Sequence, residues 1–441
     1  MSLSFFWLIL VLTTIVTAFL LASKYASRRT LFFLLAAIFL VFMGHVTKLY
    51  SAEEVWYNLN ESTSILSMIV SLQIFSVAMI EVEIPERFMR YVLGKEISPV
   101  NIQIILILIT YGLSLLINNL ATILIILPFA LRLAKDLEFD TKPFLVALVV
   151  SSNLGGASMM IGDFPNIVIS RHANATFLDF FINLGVPILL FLLPLLFVVY
   201  RPHLNQIRKN SEDLSFRERI QRTKDYYIWQ YEKHKFQTFK QLIVVGLFVS
   251  MSIILAISSK YFNFDPAFII LLFSSVLLIF LNFSDKIFKK IDLDVLVFFA
   301  SLFVISGALQ TTFFVDKSAE YILSFHAIDP VVPILIFLLL SALITSFLNA
   351  GPSTVLLIPL TRSLQVLDPS GLLWWTLSLG VLAGSSATPI GATAGYVTIG
   401  MYEREIEDTF AFTDFLKVSL QMAMVFLIIS GFYLFLMLRI F

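Results

Sequence analysis

Runs of apolar residues recur along the chain from Phe5 to Leu438. About twenty such residues, rising about 1.5 Å each as a helix, cross the roughly 30 Å hydrocarbon core of a bilayer. In that medium every backbone N–H and C=O must find its partner inside the chain, so successive single runs of this kind can only be helices. The composition fits: 59% of the 441 residues are hydrophobic and 14% charged, where an ordinary soluble domain carries about 25% charged residues. Thirty Lys+Arg balance 30 Asp+Glu, and a net charge of zero implies no nucleic acid partner. Without cysteine, the chain makes neither disulfides nor thiolate metal sites. The first run, Phe5 to Leu21, has no basic region before it and no small-residue cleavage site after it, so it is expected to stay as a span rather than leave as a signal peptide. The expectation is an all-α polytopic membrane protein, multi-pass in a prokaryotic plasma membrane with the lipid bilayer as its surroundings.

Two sets of seven apolar segments follow one another. The first lies in residues 1–200, at Phe5 to Ala22, Leu31 to His45, Ile65 to Ile80, Ile102 to Ile117, Ala121 to Ala134, Phe144 to Gly162 and Phe177 to Tyr200. The second lies in residues 241–441, at Leu242 to Ser258, Ala267 to Phe283, Leu296 to Leu309, Val332 to Leu348, Ser353 to Leu364, Leu372 to Gly391 and Phe415 to Ile440. The linker 201–240 holds ten Lys/Arg against five acids, an excess that the positive-inside rule assigns to the cytoplasm. Counting outward, Lys24, Arg28 and Arg29 fall inside and the loop with Glu53, Glu54 and Glu61 outside. Ile102 to Ile117 and Ala121 to Ala134 are short and flank a polar tip, so they read as a re-entrant hairpin.

The two sets repeat one another. Ser71 through Met79 resembles Ser301 through Leu309 at an offset of 230, and Asn118 through Pro128 (NNLATILIILP) resembles Asn349 through Pro359 (NAGPSTVLLIP) at 231. Ile161-Gly162 pairs with Ile390-Gly391 at 229, and Phe177 through Phe181 with Phe412 through Leu416 at 235. With the linker inside, one set enters from outside and the other from the cytoplasm, which makes two inverted-topology repeats with re-entrant hairpins and broken helices. Secondary transporters are built this way, with the substrate near the midplane where the repeats meet.

Candidate site residues cluster at two hairpin tips and two helix breaks. The tips are 118–122, with Asn118, Asn119 and Thr122, and 349–354, with Asn349, Ser353 and Thr354. Irregular backbone at membrane depth survives only when buried in protein or lining a wet cavity, and Asn presents both an acceptor and donors to an ion. Asn, Ser and Thr also glue neighbouring helices together, the alternative reading. The first broken helix, 144–169, holds Asn153, Gly155, Gly156, Asp163 and Asn166; the second, 372–395, holds Ser385, Ser386 and Thr388. Small and polar runs of this kind free backbone groups for a ligand or allow close helix packing. Asp163 is the only carboxylate in either break, and its counterpart is Ala392. It reads equally as a group that couples transport to a proton or cation and as a cap on the helix that opens at Phe164-Pro165. His45 and His172 sit near span ends as partly solvated interfacial residues.

Asn118 through Arg132-Leu133, then Ser152 through Gly156 and Ile161 through Ile169, resemble the ion transporter superfamily. The nearest members by these motifs are arsenite efflux permeases of the ArsB type, NhaD-type sodium/proton antiporters and the melanosomal P protein, which share a citrate-transporter-like domain. The resemblance implies that the tips and breaks form the substrate and coupling-ion sites, and that transport follows an elevator-like movement. It leaves a homodimer open. Antiporter-like and P-protein-like members usually carry Asp where Asn118 stands, and carboxylate transporters carry Ser-Asn-Thr tips that this chain matches only in the Asn. No Lys or Arg stands in the breaks to balance a polyvalent anion. The expected function is therefore secondary active, ion-coupled transport of a small inorganic ion or metalloid, as by an anion or arsenite-type permease. Sodium/proton antiport, di- or tricarboxylate transport and a passive channel are the alternatives. Gly162-Asp163 lacks the upstream Gly of an intramembrane aspartyl protease, and Gly156-Ala157-Ser158 is followed by Met159 rather than the Gly of a rhomboid-like motif. No enzyme chemistry and no cofactor are expected, only a coupling ion, H+ or Na+. Cysteines placed at Asn210 and at Tyr57 of this cysteine-free chain should label from opposite sides of the membrane; labelling from one side refutes the topology.

Overall fold

The computed structural model describes residues 3–25, 28–84, 87, 99–137, 141–210, 218, 221–222, 225, 238–261, 264–281, 284–365 and 371–440. Among these the regular elements are helices. The first set comprises α1 (Leu3–Lys24), α2 (Arg29–Thr47), α3 (Ala52–Glu81), α4 (Pro99–Ser114), α5 (Asn119–Leu137), α6 (Lys142–Ala157) and α7 (Phe164–Ala173). It ends in α8, which opens at Phe177–Phe180, passes through π-helical turns at Phe181–Gly185 and Ile188–Leu192 and runs on as Leu193–Asn210. The second set comprises α9 (Thr238–Tyr261), α10 (Pro266–Leu281), α11 (Ser284–Lys290), α12 (Leu293–Gln310), α13 (Phe313–Ser324), α14 (Val331–Leu348), α15 (Ala350–Leu364), α16 (Leu372–Ala387), α17 (Thr393–Ile406) and α18 (Phe412–Ile440). Most of the basic linker lies outside the described residues.

Eight of these helices, α1, α2, α3, α8, α9, α12, α14 and α18, are long and apolar enough to cross a membrane. The hairpin arm α5 and the broken-helix half α16 are apolar but shorter, as expected of segments that turn back or stop at membrane depth. Outward-facing Phe42, Leu343 and Ile428 are exposed, the apolar surface that lipid covers. Helix α3 begins at Ala52, well before the apolar run at Ile65, because Ser51 and Glu54 close a capping box around its start. Helix α13, with Asp316, Lys317 and Glu320, is amphipathic and escapes a search for long apolar runs.

The helices gather into two bundles. One holds α1, α2, α3, α9, α10 and α12; the other holds α4 to α8 and α14 to α18. Packing is reciprocal between the sets: α2 lies on α12 as α10 lies on α3, and α5 lies on α17 as α15 lies on α7. The repeat-related helices α3 and α12 run antiparallel, since Asn58 near the start of α3 adjoins Gly307 near the end of α12, and Gln73 further along α3 bonds the backbone of Asp292 at the start of α12. At the centre, every residue of α6 from Pro143 to Ala157 and of α16 from Leu372 to Ala387 is buried. These two helices are the axis of the second bundle, buried all round, with Ser151, Ser152, Asn153, Ser378, Ser385 and Ser386 among otherwise mainly apolar residues.

Their approach to the hairpins depends on glycine. A Cβ on Gly155 would overlap the Tyr111 carbonyl and Ser114 of α4, and one on Gly384 would overlap the Ala342 carbonyl and Thr345 of α14. Both neighbour pairs stand 231 apart in sequence, so one packing device serves both repeats. Gly155→Ala and Gly384→Ala should each lower stability by about 1–3 kcal/mol, the usual cost of overpacking. A thermal unfolding midpoint equal to that of the unsubstituted protein in either variant would refute the close approach.

Candidate functional site

Asn119 opens α5 and turns into the first break. Its Nδ2 donates to Asp163 Oδ2 at 2.9 Å and to Asn153 Oδ1 at 3.3 Å, while its Oδ1 accepts from Ser114 Oγ at 3.3 Å. Gly156 lies under this side chain, and any Cβ there would collide with Asn119. Asn118, the neighbouring tip residue, is exposed and caps α5 instead, its Oδ1 accepting from the Ala121 N–H at 2.9 Å. Thr122 is buried with its hydroxyl unpartnered.

Asp163 does two things at once. Its Oδ1 accepts from the Phe164 N–H at 2.8 Å, capping α7, and its Oδ2 holds Asn119. Asn166, one turn on, spans the break: Nδ2 donates to the carbonyls of Ala157 and Met159 at 2.8 and 2.9 Å, pairing oxygens that the interrupted helix leaves free.

The second repeat makes the same join with backbone. Asn349 alone separates α14 from α15, at φ 73° and ψ 153°, a backbone region that side chains other than glycine's rarely enter. Its Nδ2 donates to the Ile390 carbonyl at 3.3 Å, and the Ala350 N–H donates to the Gly391 carbonyl at 3.0 Å. Thr388 donates to the Ser346 carbonyl at 2.6 Å and accepts from the Gly391 N–H. Ser353 and Thr354 donate to the carbonyls of Asn349 and Ala350. Ala392 starts α17 without a side-chain cap, so the carboxylate belongs to one break only.

The breaks meet across the repeats. Asn153 Nδ2 donates to the Ser385 carbonyl at 3.1 Å and to Ser386 Oγ at 3.3 Å, and Ser378 Oγ donates to Asn166 Oδ1 at 3.0 Å. Between them lies a small cavity lined by Asn153, Asp163, Asn166, Ser378 and Ser385, with Ala350 at its edge and no basic side chain on its wall. The starts of α7 and α15 both border it. Of the residues singled out in sequence, Asn119, Asn153, Asp163, Asn166, Ser385 and Ser386 converge here, Asn349 and Thr388 brace the second tip, Gly155 packs helices, and Asn118 stands apart. Sequence reading missed Ser114, Ser346 and Ser378. The repeat offset of 231 pairs Ser114 with Thr345, a signal that marks both as lining the glycine crossings.

Charged groups gather at the ends of the second bundle. At one end Lys142 pairs with Asp408 at 3.3 Å and Asp414 at 3.5 Å. The Tyr402 hydroxyl and Lys142 hold the Asp408 carboxyl below its usual range. At the other end, His172 is not the solvated interfacial residue expected: its side chain is 6% exposed, because α3 and α15 close over it with Glu61 and Arg362. Among the described residues, no group of three or more His, Asp or Glu is arranged to hold a metal ion.

A multi-pass helical bundle whose paired tips and breaks enclose a cavity of mixed polar and apolar lining is the architecture of a membrane transporter. The chain belongs to the citrate transporter family, whose sequence profile matches residues 7–380. It is similar to an uncharacterised transporter of Mycobacterium tuberculosis, 29% identical over 345 residues that cover 77% of this chain and 78% of the relative. The magnetosome protein MamN of Magnetospirillum gryphiswaldense is 27% identical over 304 residues, 68% and 67% of the two chains. The P protein of Sus scrofa is 24% identical over 404 residues, covering 75% of this chain and 48% of that one. The superfamily resemblance holds, and the bacterial relatives agree with a plasma-membrane protein.

Removing the cap tests the local geometry at Asp163. Asp163→Ala should cost about 1 kcal/mol of stability, and Asp163→Asn, whose carbonyl oxygen still caps α7, much less. Equal thermal midpoints for the two variants would refute the capping role.

Proposed function

We propose that this transporter moves a small neutral or monovalent inorganic solute, an anion or metalloid of the arsenite type, in exchange for or together with a coupling ion held at Asp163. The observation that carries this reading is the wall of the central cavity: one carboxylate, two amides and two hydroxyls set among apolar Ala157, Pro165, Val381 and Leu382, and no Lys or Arg. A citrate-like substrate brings two or three carboxylates, and burying these beside Asp163 without a cationic partner is prohibitively costly. A small solute needs only hydrogen bonds, which Asn153, Asn166, Ser378 and Ser385 offer, and the starts of α7 and α15 add partial positive charge.

Asp163 suits coupling because its partner is an amide. A proton on Oδ2 would turn the oxygen into a donor and make it a poor acceptor for Asn119 Nδ2, so protonation breaks the tie between tip and break. A sodium ion would do the same by taking Asp163 Oδ2 and Asn153 Oδ1 as ligands in place of the Asn119 amide. That oxygen pair is what supports the second reading, sodium/proton antiport. The inverted orientation of the two repeats is part of the proposal, supported by the antiparallel run of α3 and α12 and the reciprocal packing.

Proteoliposome flux assays separate the readings. Uphill arsenite movement driven by a proton gradient supports the first; sodium-dependent dequenching of a pH dye supports the second; flux that never exceeds equilibrium indicates a channel. Asp163→Asn should abolish uphill transport while leaving solute exchange, since the amide is nearly isosteric and keeps the cap. Asn119→Ala should weaken binding about 5- to 150-fold, for a loss of about 1–3 kcal/mol. Driven uptake at the unsubstituted rate in Asp163→Asn would sink the coupling role.

A further inference from the structure

Among the described residues, the seam between the two bundles is closed by contacts on one side only. Helices α7 and α15 pack against α3 and α12. Along α12 the positions Phe299, Phe303 and Ser306 share one face. Phe299 stacks on Phe164 at the start of α7, beside Gly351 of the second tip, and Ser306 Oγ donates to the Val355 carbonyl of α15 at 2.9 Å. Further out, the seam ends in a cavity lined by Glu61, His172, Phe303, Ser306 and Arg362. There Arg362 of α15 is bonded to Glu61 of α3 and to His172 Nδ1 of α7, the latter at 2.7 Å. A second link lies nearby: Arg171 of α7 pairs with Asp265, just before α10, at 3.2 Å, and Ser64 of α3 bonds the same carboxylate.

The repeat-related seam is open. The counterpart of Val355 at offset 231 is Leu124 of α5, and Val355 is 0% exposed where Leu124 is 46%. Pro359 is buried where its counterpart Pro128 is exposed. Nothing local to α5 explains this, since its sequence at the tip repeats that of α15.

We propose that Glu61 and Arg362, braced by His172, are the gating pair of the outer seam: they hold α15 and α7 against α3, and their separation is what opens the path from the second tip to the outside. The pair joins the two bundles at the outer end of α15, whose tip lies against α12, and the Phe164–Phe299 stack closes the seam beside that tip. When the outer seam opens, the equivalent seam closes, and Leu124 becomes buried against α3 as Val355 is now against α12. This step builds on the inverted-repeat reading, yet its test needs neither the substrate nor the coupling ion.

Single cysteines at Val355 and at Leu124, each introduced into the cysteine-free chain, report the two seams through their rate of maleimide labelling in proteoliposomes. In the unsubstituted background Val355→Cys should be protected and Leu124→Cys reactive. Glu61→Gln should raise labelling at Val355→Cys at least several-fold and lower it at Leu124→Cys, and the charge exchange Glu61→Arg with Arg362→Glu should restore the original pattern. Unchanged labelling at Val355→Cys would overturn the proposal. So would a rise at both reporters together, which is the mark of simple loosening rather than of a gate. If the reporters move in opposite directions while every flux assay above is silent, the gate stands and the substrate reading falls.

Discussion

A backbone N–H or C=O left unpaired in hydrocarbon costs several kcal/mol, and this cost decides where several of the polar side chains at the centre of the molecule sit. Two hairpins turn back and two helices break at membrane depth, so each interruption exposes amides and carbonyls that need partners. Asn166 takes the carbonyls of Ala157 and Met159. Asp163 takes the first amide of α7, and Thr388 takes the Gly391 amide and the Ser346 carbonyl. These groups are therefore structural before they are functional. What makes them a site is that the same side chains keep a second face: Asp163 Oδ2 and Asn153 Oδ1 remain turned toward Asn119 and the cavity, after the backbone has been satisfied.

Much of this was legible in the sequence because membrane helices must be apolar and interruptions must be polar. The long spans follow from hydropathy, and the tips and breaks follow from small and polar residues placed at nearly constant repeat offsets. The division of labour within a tip was not legible. Asn118 and Asn119 are adjacent and chemically identical, yet one caps its own helix and the other crosses to Asp163; only the rotation of α5 about its axis separates them. Nor was the Glu61–Arg362–His172 contact legible, since it joins three helices far apart in sequence and each residue alone looks like an ordinary span end. Its assembly depends on how two bundles meet, which local pattern does not encode.

Reciprocal packing between the sets has a consequence for motion. If each half offers the other the same surfaces, the closed contact of α15 on α12 has its counterpart in a contact of α5 on α3, in which Ser76 answers to Ser306 while Ile69 and Gln73 stand for Phe299 and Phe303. The two cannot both form if the second bundle moves as a unit, so the differences choose between them. In this structure those differences include the outer polar links of α7 and α15. A few partly exposed ion pairs are each modest in strength, which suits a gate that must open repeatedly without a large barrier.

On the proposed inverted-repeat reading, the two halves also separate architecture from chemistry. Both repeats carry the hairpin, the glycine crossing and the break, and in both the tip is tied to the break by an Asn. In the first repeat that tie ends on a carboxylate, Asp163; in the second it ends on a backbone carbonyl, Ile390. A tie to a backbone carbonyl cannot be switched by a proton at physiological pH, whereas a tie to a carboxylate can. On the proposed mechanism, the second tip is thus a fixed wall of the cavity and the first is its responsive wall. One ionisable group in a two-fold framework allows one monovalent coupling ion per cycle at this position, and a solute that carries more than a single charge would have to find its balance elsewhere.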